Sequence, residues 1–185
     1  MATDLTTDED LLNAIRNGDR NAFATLVKRH NRKYYALAYR YVVNREEAED
    51  IAQTAFLKLW ETSHKWNANK GAKFTTWFYR IVVNLCLDHL KKHKTVPLYD
   101  DFDVEDETSN QEDGVLTQEK QSQLAAEIST LPKRQKTAVI LCFYEELSRK
   151  DAAQVMKINI KTLESLLMRA KTTLKSKMIE QGNQS

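Results

Sequence analysis

The chain has 185 residues, of which 42% are hydrophobic and 29% charged, with only four glycines and two prolines. Helical periodicity nearly throughout predicts an all-α protein with one medium domain or two small ones. No apolar run approaches the roughly 18 residues that span a bilayer. The acidic start MATDLTTDED is not typical of a signal peptide, so we expect a cytoplasmic protein. The distant Cys86 and Cys142 predict free thiols.

A net charge of +2 hides a strong partition along the chain. Residues 1–93 hold 15 Lys/Arg against 11 Asp/Glu, residues 94–130 hold 2 against 10, and residues 131–185 hold 11 against 5. We therefore predict two small helical domains, residues 1–93 and 121–185, joined by an acidic flexible linker over residues 94–120. Two basic modules on an acidic tether favour nucleic-acid binding over a single enzyme, and charge that merely solvates each face explains the alternation poorly.

The first two predicted helices have clear boundaries. Thr7 and Asp10 form a capping box, Gly18 ends the first helix, and Asp19 caps the next. The second helix carries apolar and aromatic residues at helical spacing as far as Tyr41. With the two helices that follow, it predicts a compact domain whose core is rich in aromatic residues.

A third helix starts at Asn44, with Glu47 placed to complete a capping box. One face is apolar, with Ala48, Ile51, Ala52, Ala55, Phe56, Leu59 and Trp60. The opposite face forms a ridge of Glu46, Asp50, Gln53 and Leu57. A leucine on a polar ridge suggests a protein contact, although a single exposed leucine is ordinary on any surface.

The segment KWNANKGAK, residues 65–73, mixes cations with a tryptophan and a glycine, as suits unpaired nucleic acid. The helix that follows, from Phe74 to about Lys92, is predicted to bury Phe74, Phe78, Ile81 and Leu85. One flank presents a strip of Trp77, Arg80, Asn84 and Lys91. This strip is a candidate for base recognition, and the equal alternative is a core tryptophan beside an arginine that pairs with carboxylates.

The C-terminal module is predicted to begin near Gln118, with a fresh helix start at Pro132 and a core helix through the apolar run 138–144. Ser148 and Asp151 then open a short helix, and Asn159 caps a longer one after a three-residue turn. The long helix is predicted to bury Ile160, Leu163, Leu167, Ala170, Leu174 and Met178. Its outer face carries Lys161, Thr162, Ser165, Met168, Arg169 and Thr172. This pattern is typical of a helix-turn-helix.

Over nearly its whole length the sequence resembles the extracytoplasmic-function (ECF) group of bacterial RNA polymerase sigma factors, in the sigma-70 family. EAEDIAQTAF, residues 47–56, is similar to the family's segment that docks on the clamp helices of the polymerase β′ subunit. FTTWFYRIVVN, residues 74–84, resembles its −10 element reader, and residues 131–171 resemble its −35 reading domain. The resemblance implies a non-enzymatic protein that binds core RNA polymerase and promoter DNA.

The resemblance also assigns site residues. It implies −10 contacts by Asn67, Asn69, Lys73, Trp77, Arg80 and Asn84, and −35 contacts by Ser165, Met168 and Arg169. Lys161 and Thr162, on the same outer face of the long helix, are further candidates for −35 contacts. The resemblance assigns polymerase binding to Glu46, Asp50, Gln53 and Leu57. Members are typically inhibited by an anti-sigma factor, which we expect as a further partner. In two departures from the family, Glu164 and Leu166 stand where basic residues are common, and Lys157 and Lys161 where glycines are frequent.

Other functions rank lower. A sigma-like decoy that binds an anti-sigma factor without recognising DNA is the main alternative, and Glu164 and Leu166 favour it slightly. A plain helix-turn-helix repressor would need neither the ridge nor the acidic tether. Cys86, His89 and His93 lie on one side of a predicted helix, as zinc ligands would, but a fourth ligand is missing. We therefore expect no metal, no cofactor, no small-molecule substrate and no catalysis.

Overall fold

The computed structural model describes residues 7–66, 73–92 and 123–182, and every regular element in these ranges is helical. The helices are α1 (Asp8–Arg16), α2 (Arg20–Val42), α3 (Arg45–Thr62), α4 (Phe74–Lys92), α5 (residues 123–129), α6 (Lys133–Val139), α7 (Arg149–Met156) and α8 (Ile160–Gly182). A 3-10 turn, Ser63–Lys65, follows α3, and a π-helical turn, Ile140–Tyr144, follows α6. The predicted all-α fold is confirmed over the described residues, while the predicted acidic linker, residues 94–120, lies entirely outside them.

Short polar residues start the N-terminal helices where the sequence predicts. At α1 the Asp10 amide donates to Thr7 Oγ1 at 3.1 Å and the Thr7 amide donates to Asp10 Oδ2 at 3.2 Å. The Glu47 amide donates to Asn44 Oδ1 at 3.0 Å at the start of α3. The Glu47 carboxylate lies 2.9 Å from His89 Nε2, so this side chain links α3 to α4.

The N-terminal core is aromatic, as predicted. Tyr34 of α2 is fully buried, and its ring centroid lies 4.4 Å from that of Phe78, 5.3 Å from Tyr79 and 6.4 Å from Phe56. These pairs meet edge to face, the arrangement that the ring quadrupoles favour. Helices α2, α3 and α4 are therefore fixed against one another by large side chains contributed by each.

The buried side of α4 differs from the predicted one. Phe74 and Phe78 are buried as expected, but Ile81 and Leu85 are only half-buried. The remaining buried positions of the helix are Thr76, Tyr79, Val82, Val83 and Cys86. Because α7 also packs against α4, the helix is covered on a side that the four-residue spacing did not predict.

In the C-terminal half α8 packs against α6 and α7 through Leu163, Leu166, Leu167 and Ala170. Two residues of α8 that were expected to be buried, Ile160 and Met178, are exposed. Leu166, for which no burial was predicted, is buried. Phe143 and Tyr144, expected in a core helix, are exposed by 63% and 37% because the chain there has widened into the π-helical turn.

Candidate polymerase and nucleic-acid interfaces

The ridge on α3 points away from the core along its whole length. Glu46, Asp50 and Gln53 are exposed, and Leu57 keeps 60% of its surface accessible. The opposite face of the helix is buried, with Ala48, Ala55 and Leu59 at 0%. Since one face is fully used by the core, the acidic ridge and its leucine are free to contact another molecule.

The strip on α4 is only partly accessible. Lys73, just before the helix, and Asn84 are exposed, while Trp77 is half-buried with its ring 6.4 Å from that of Phe74. Arg80 is half-buried, and its Nη2 donates a 2.7 Å hydrogen bond to the carbonyl oxygen of Gln154 in α7. Lys73, Trp77, Arg80 and Asn84 thus lie in one row that starts just before α4 and continues along it. Asn67 and Asn69 lie outside the described residues.

Tyr79 and Glu145 form a buried polar pair that the sequence does not predict. The Tyr79 hydroxyl donates to Glu145 Oε2 at 2.8 Å. Burial, followed by the nearby Glu145 carboxylate, raises the pKa of Tyr79, so its phenol is neutral and acts as a donor. No sequence signal identifies the pair, because the two residues are 66 positions apart and in different halves of the chain.

The helix-turn-helix is built from local signals. The Asp151 amide donates to Ser148 Oγ at 3.0 Å, and the Thr162 amide donates to Asn159 Oδ1 at 2.7 Å. Lys157 ends α7 with φ 54° and ψ 44°, a left-handed conformation that favours glycine. The turn sets the angle at which α8 leaves α7.

The outer face of α8 is open. Lys161, Ser165, Met168 and Arg169 are exposed, with Met168 at 67%, and Thr162 is half-buried. Glu164 shares this exposed surface, whereas Leu166 is only 9% exposed. Leu166 is therefore a core residue. Of Glu164 and Leu166, the two residues that stand where basic residues were expected, only Glu164 changes the outer surface.

The zinc arrangement considered from sequence does not fit. Cys86 is buried, which raises the pKa of its thiol to about 12, and His89 pairs with Glu47. His93 lies outside the described residues. Within residues 7–66, 73–92 and 123–180, no group of three or more His, Cys, Asp or Glu is arranged to hold a metal ion.

Among the described helices, none combines the length and the apolar character required to cross a membrane. Over the described residues, the two helix faces predicted from sequence are exposed and the strip on α4 is partly covered. One exposed face is acidic, on α3, and the other is basic and polar, on α8. This arrangement suits binding to a protein and to DNA.

The halves of the chain match two parts of one family of transcription proteins. Residues 26–96 match the family described as Sigma-70 region 2, and residues 121–174 match Sigma-70, region 4. The first match contains α3 and α4 and the second contains the helix-turn-helix. The chain is thus a sigma factor, which binds core RNA polymerase and directs transcription initiation at promoters.

Comparison with individual proteins narrows the class. The chain is 30% identical over 180 residues to the ECF RNA polymerase sigma factor SigW of Bacillus subtilis, covering 89% of this chain and 92% of that protein. It is 32% identical over 170 residues to the ECF sigma factor SigM of Mycobacterium tuberculosis, covering 90% and 82% respectively. The chain belongs to the ECF RNA polymerase sigma factors.

Solved structures share the fold. CnrH in complex with the cytosolic domain of CnrY is similar with a TM-score of 0.70 at 19% identity, covering 94% of this chain and 97% of that one. The sigma factor RpoE of Bartonella quintana, in complex with the anti-sigma factor NepR, gives 0.64 at 19% identity, with 83% and 94% covered.

Proposed function

We propose that this sigma factor docks on the β′ clamp helices of core RNA polymerase through the α3 ridge. The observation that carries the assignment is that Glu46, Asp50, Gln53 and Leu57 are all exposed, opposite a buried face. Acidic side chains around one apolar residue suit a basic partner surface with a small apolar pocket. The chain acts by binding and not by catalysis, and its work with polymerase places it in the cytoplasm.

DNA recognition is divided between two helices in this proposal. Lys73, Trp77, Arg80 and Asn84, with Asn67 and Asn69, contact the unpaired −10 strand, where aromatic stacking and cationic side chains are both useful. Lys161, Thr162, Ser165, Met168 and Arg169 contact the −35 major groove. An arginine on the exposed face of α8 can bind guanine through two hydrogen bonds, and Met168 offers an apolar contact for a thymine methyl group.

The docking surface is tested by titrating purified core polymerase with the Asp50→Ala/Gln53→Ala variant. We expect affinity to fall about tenfold or more because two side chains at the centre of the contact are removed. Lys58→Ala is the matched control, since Lys58 is exposed on another side of α3. Unchanged affinity in the double variant, or an equal loss in the control, would remove the ridge from the interface.

An inhibitory partner is also proposed. The similar structures of CnrH and of the Bartonella quintana protein were each solved with a bound partner, which for the latter is named as an anti-sigma factor. We infer that this chain is likewise held by an anti-sigma factor. Co-purification with a protein encoded in the same operon, and loss of transcription when that protein is added, test this partner.

A sigma-like decoy remains the second candidate, because the exposed Glu164 places a negative charge on the face of α8 that would meet DNA. Transcription in vitro from a fragment library separates the two functions. A sigma factor gives promoter-selective transcripts with core polymerase, whereas a decoy gives none while still binding an anti-sigma factor.

A further inference from the structure

The two halves of the chain are joined by a buried carboxylate. Glu145, at the end of the π-helical turn, keeps only 5% of its side chain exposed. Its Oε1 lies 3.3 Å from Arg40 Nη1 of α2, and its Oε2 accepts the 2.8 Å hydrogen bond from Tyr79 of α4. Arg40 also lies over the Tyr144 ring, 4.8 Å from its centroid. Since a buried carboxylate is costly unless it is paired, these contacts favour one relative position of the two halves.

Two more polar contacts cross the same boundary. The buried Lys136 of α6 donates from Nζ to the Tyr41 carbonyl oxygen at 3.2 Å. Arg80 of α4 donates to the Gln154 carbonyl oxygen at 2.7 Å. Every partner on the N-terminal side belongs to α2 or α4. The closed position is therefore held by specific polar pairs. One of these pairs engages Arg80, which is proposed to contact the −10 strand.

This closed position does not fit the spacing of a promoter. Elements centred near −10 and −35 are separated by about 25 base pairs, or about 85 Å at roughly 3.4 Å per base pair. Arg80 touches Gln154, and the chain from Gln154 to Arg169 reaches at most about 35 Å, given the extended and helical rises. Arg80 and Arg169 are thus too close together to contact both elements, and the halves must separate first.

We propose that Glu145 is a latch that holds this sigma factor closed before it binds polymerase and promoter. Its pairing with Arg40 and Tyr79 keeps the helix-turn-helix against α4 and leaves Arg80 bonded to α7. Release of Glu145 frees the α4 strip and lets α8 move to a distant DNA site. The regulatory consequence rests on the proposed roles of α4 and α8, whereas the latch itself rests on the contacts.

Distance measurement tests the latch directly. Spin labels at Lys58→Cys on α3 and Lys171→Cys on α8, both exposed positions, report the separation of the halves in the full chain. Cys142→Ala removes the half-buried thiol, and the buried Cys86 is retained. The test variants are Glu145→Ala and, from the other side of the contact, Arg40→Ala. Glu180→Ala is the control, since it removes an exposed carboxylate from the same half.

We expect one short distance in the parent chain and the control, and a longer population in both test variants with unchanged helical circular dichroism. A promoter fragment that carries both elements should bind the test variants more tightly than the parent chain. If the closed state holds about 90% of the parent molecules, full release tightens the apparent dissociation constant about tenfold.

Identical distances in Glu145→Ala and the parent, or equal opening in Glu180→Ala, would overturn the latch. Opening without tighter promoter binding would overturn its regulatory role. Failure of the proposed function would look different, because no variant would bind the promoter fragment, while the distances would still separate Glu145→Ala from its control and so support the latch.

Discussion

The two helices proposed to contact DNA, α4 and α8, are held by the fold in different ways. Helix α4 packs against α2, α3 and α7, and seven of its residues are buried. Helix α8 packs against α6 and α7 and leaves a continuous outer face exposed. The outer face of α8 can therefore change with little effect on stability, whereas side chains of α4 serve the core, the contact between the halves and the proposed DNA contact together.

The two arginines show this difference most clearly. Arg169 is exposed on α8, while Arg80 is half-buried and hydrogen-bonded to the backbone of α7. Recognition through α8 is thus available in the structure as it stands. Recognition through α4 requires the Arg80 contact with α7 to break, so of the two proposed DNA-binding surfaces only the one on α8 has its arginine accessible.

The largest expected effect comes from the buried face of α4. Phe78→Ala should lower the free energy of unfolding by about 3–5 kcal/mol, because it leaves a cavity beside the Tyr34 and Phe56 rings. Met168→Ala, which truncates an exposed side chain on α8, should change it by less than about 0.5 kcal/mol. Urea unfolding followed by circular dichroism measures both. Similar losses in the two variants would contradict the contrast between the helices.

A smaller effect is expected on the outer face of α8. Arg169→Ala should reduce discrimination at one −35 position by about 1–3 kcal/mol while −10 binding is kept, because a two-bond contact to guanine is lost. Competition binding of polymerase holoenzyme to promoter variants measures it. Lys171→Ala is the control, and as an exposed cation it should weaken all sequences alike. If Arg169→Ala instead weakened binding equally at every promoter, a base contact by Arg169 would be excluded.

The smallest effect is expected at the turn before α8. Lys157→Gly should stabilise the chain by about 1 kcal/mol, because glycine adopts the left-handed conformation without the steric cost of a Cβ atom. Lys150→Gly, in the first turn of α7, should destabilise it by less than about 1 kcal/mol, since glycine is unfavourable in a helix and the cost is largest in the interior. Thermal unfolding should therefore shift in opposite directions, and a shift in the same direction would mean that backbone conformation does not set the effect.

Sequence patterns predicted the helix boundaries well because the groups that determine them are near neighbours. Thr7, Asn44, Ser148 and Asn159 each accept a hydrogen bond from an amide three residues along, and this spacing is visible in the printed sequence. The ridge on α3 and the outer face of α8 were also predicted, since a helix with one apolar face must expose the other. The domain limits and the site assignments stay predictions.

The sequence by itself thus determined the helices, the helix-turn-helix and the faces that surround each local core. Only the tertiary structure decided which side of α4 is buried, where Phe143 and Leu166 lie, and that Glu145 joins Arg40 to Tyr79. The physical reason is the separation along the chain over which each interaction acts. Capping and helical periodicity act within a few residues, whereas Glu145 meets partners that are 105 and 66 positions away. Such contacts follow from how the two halves pack against each other.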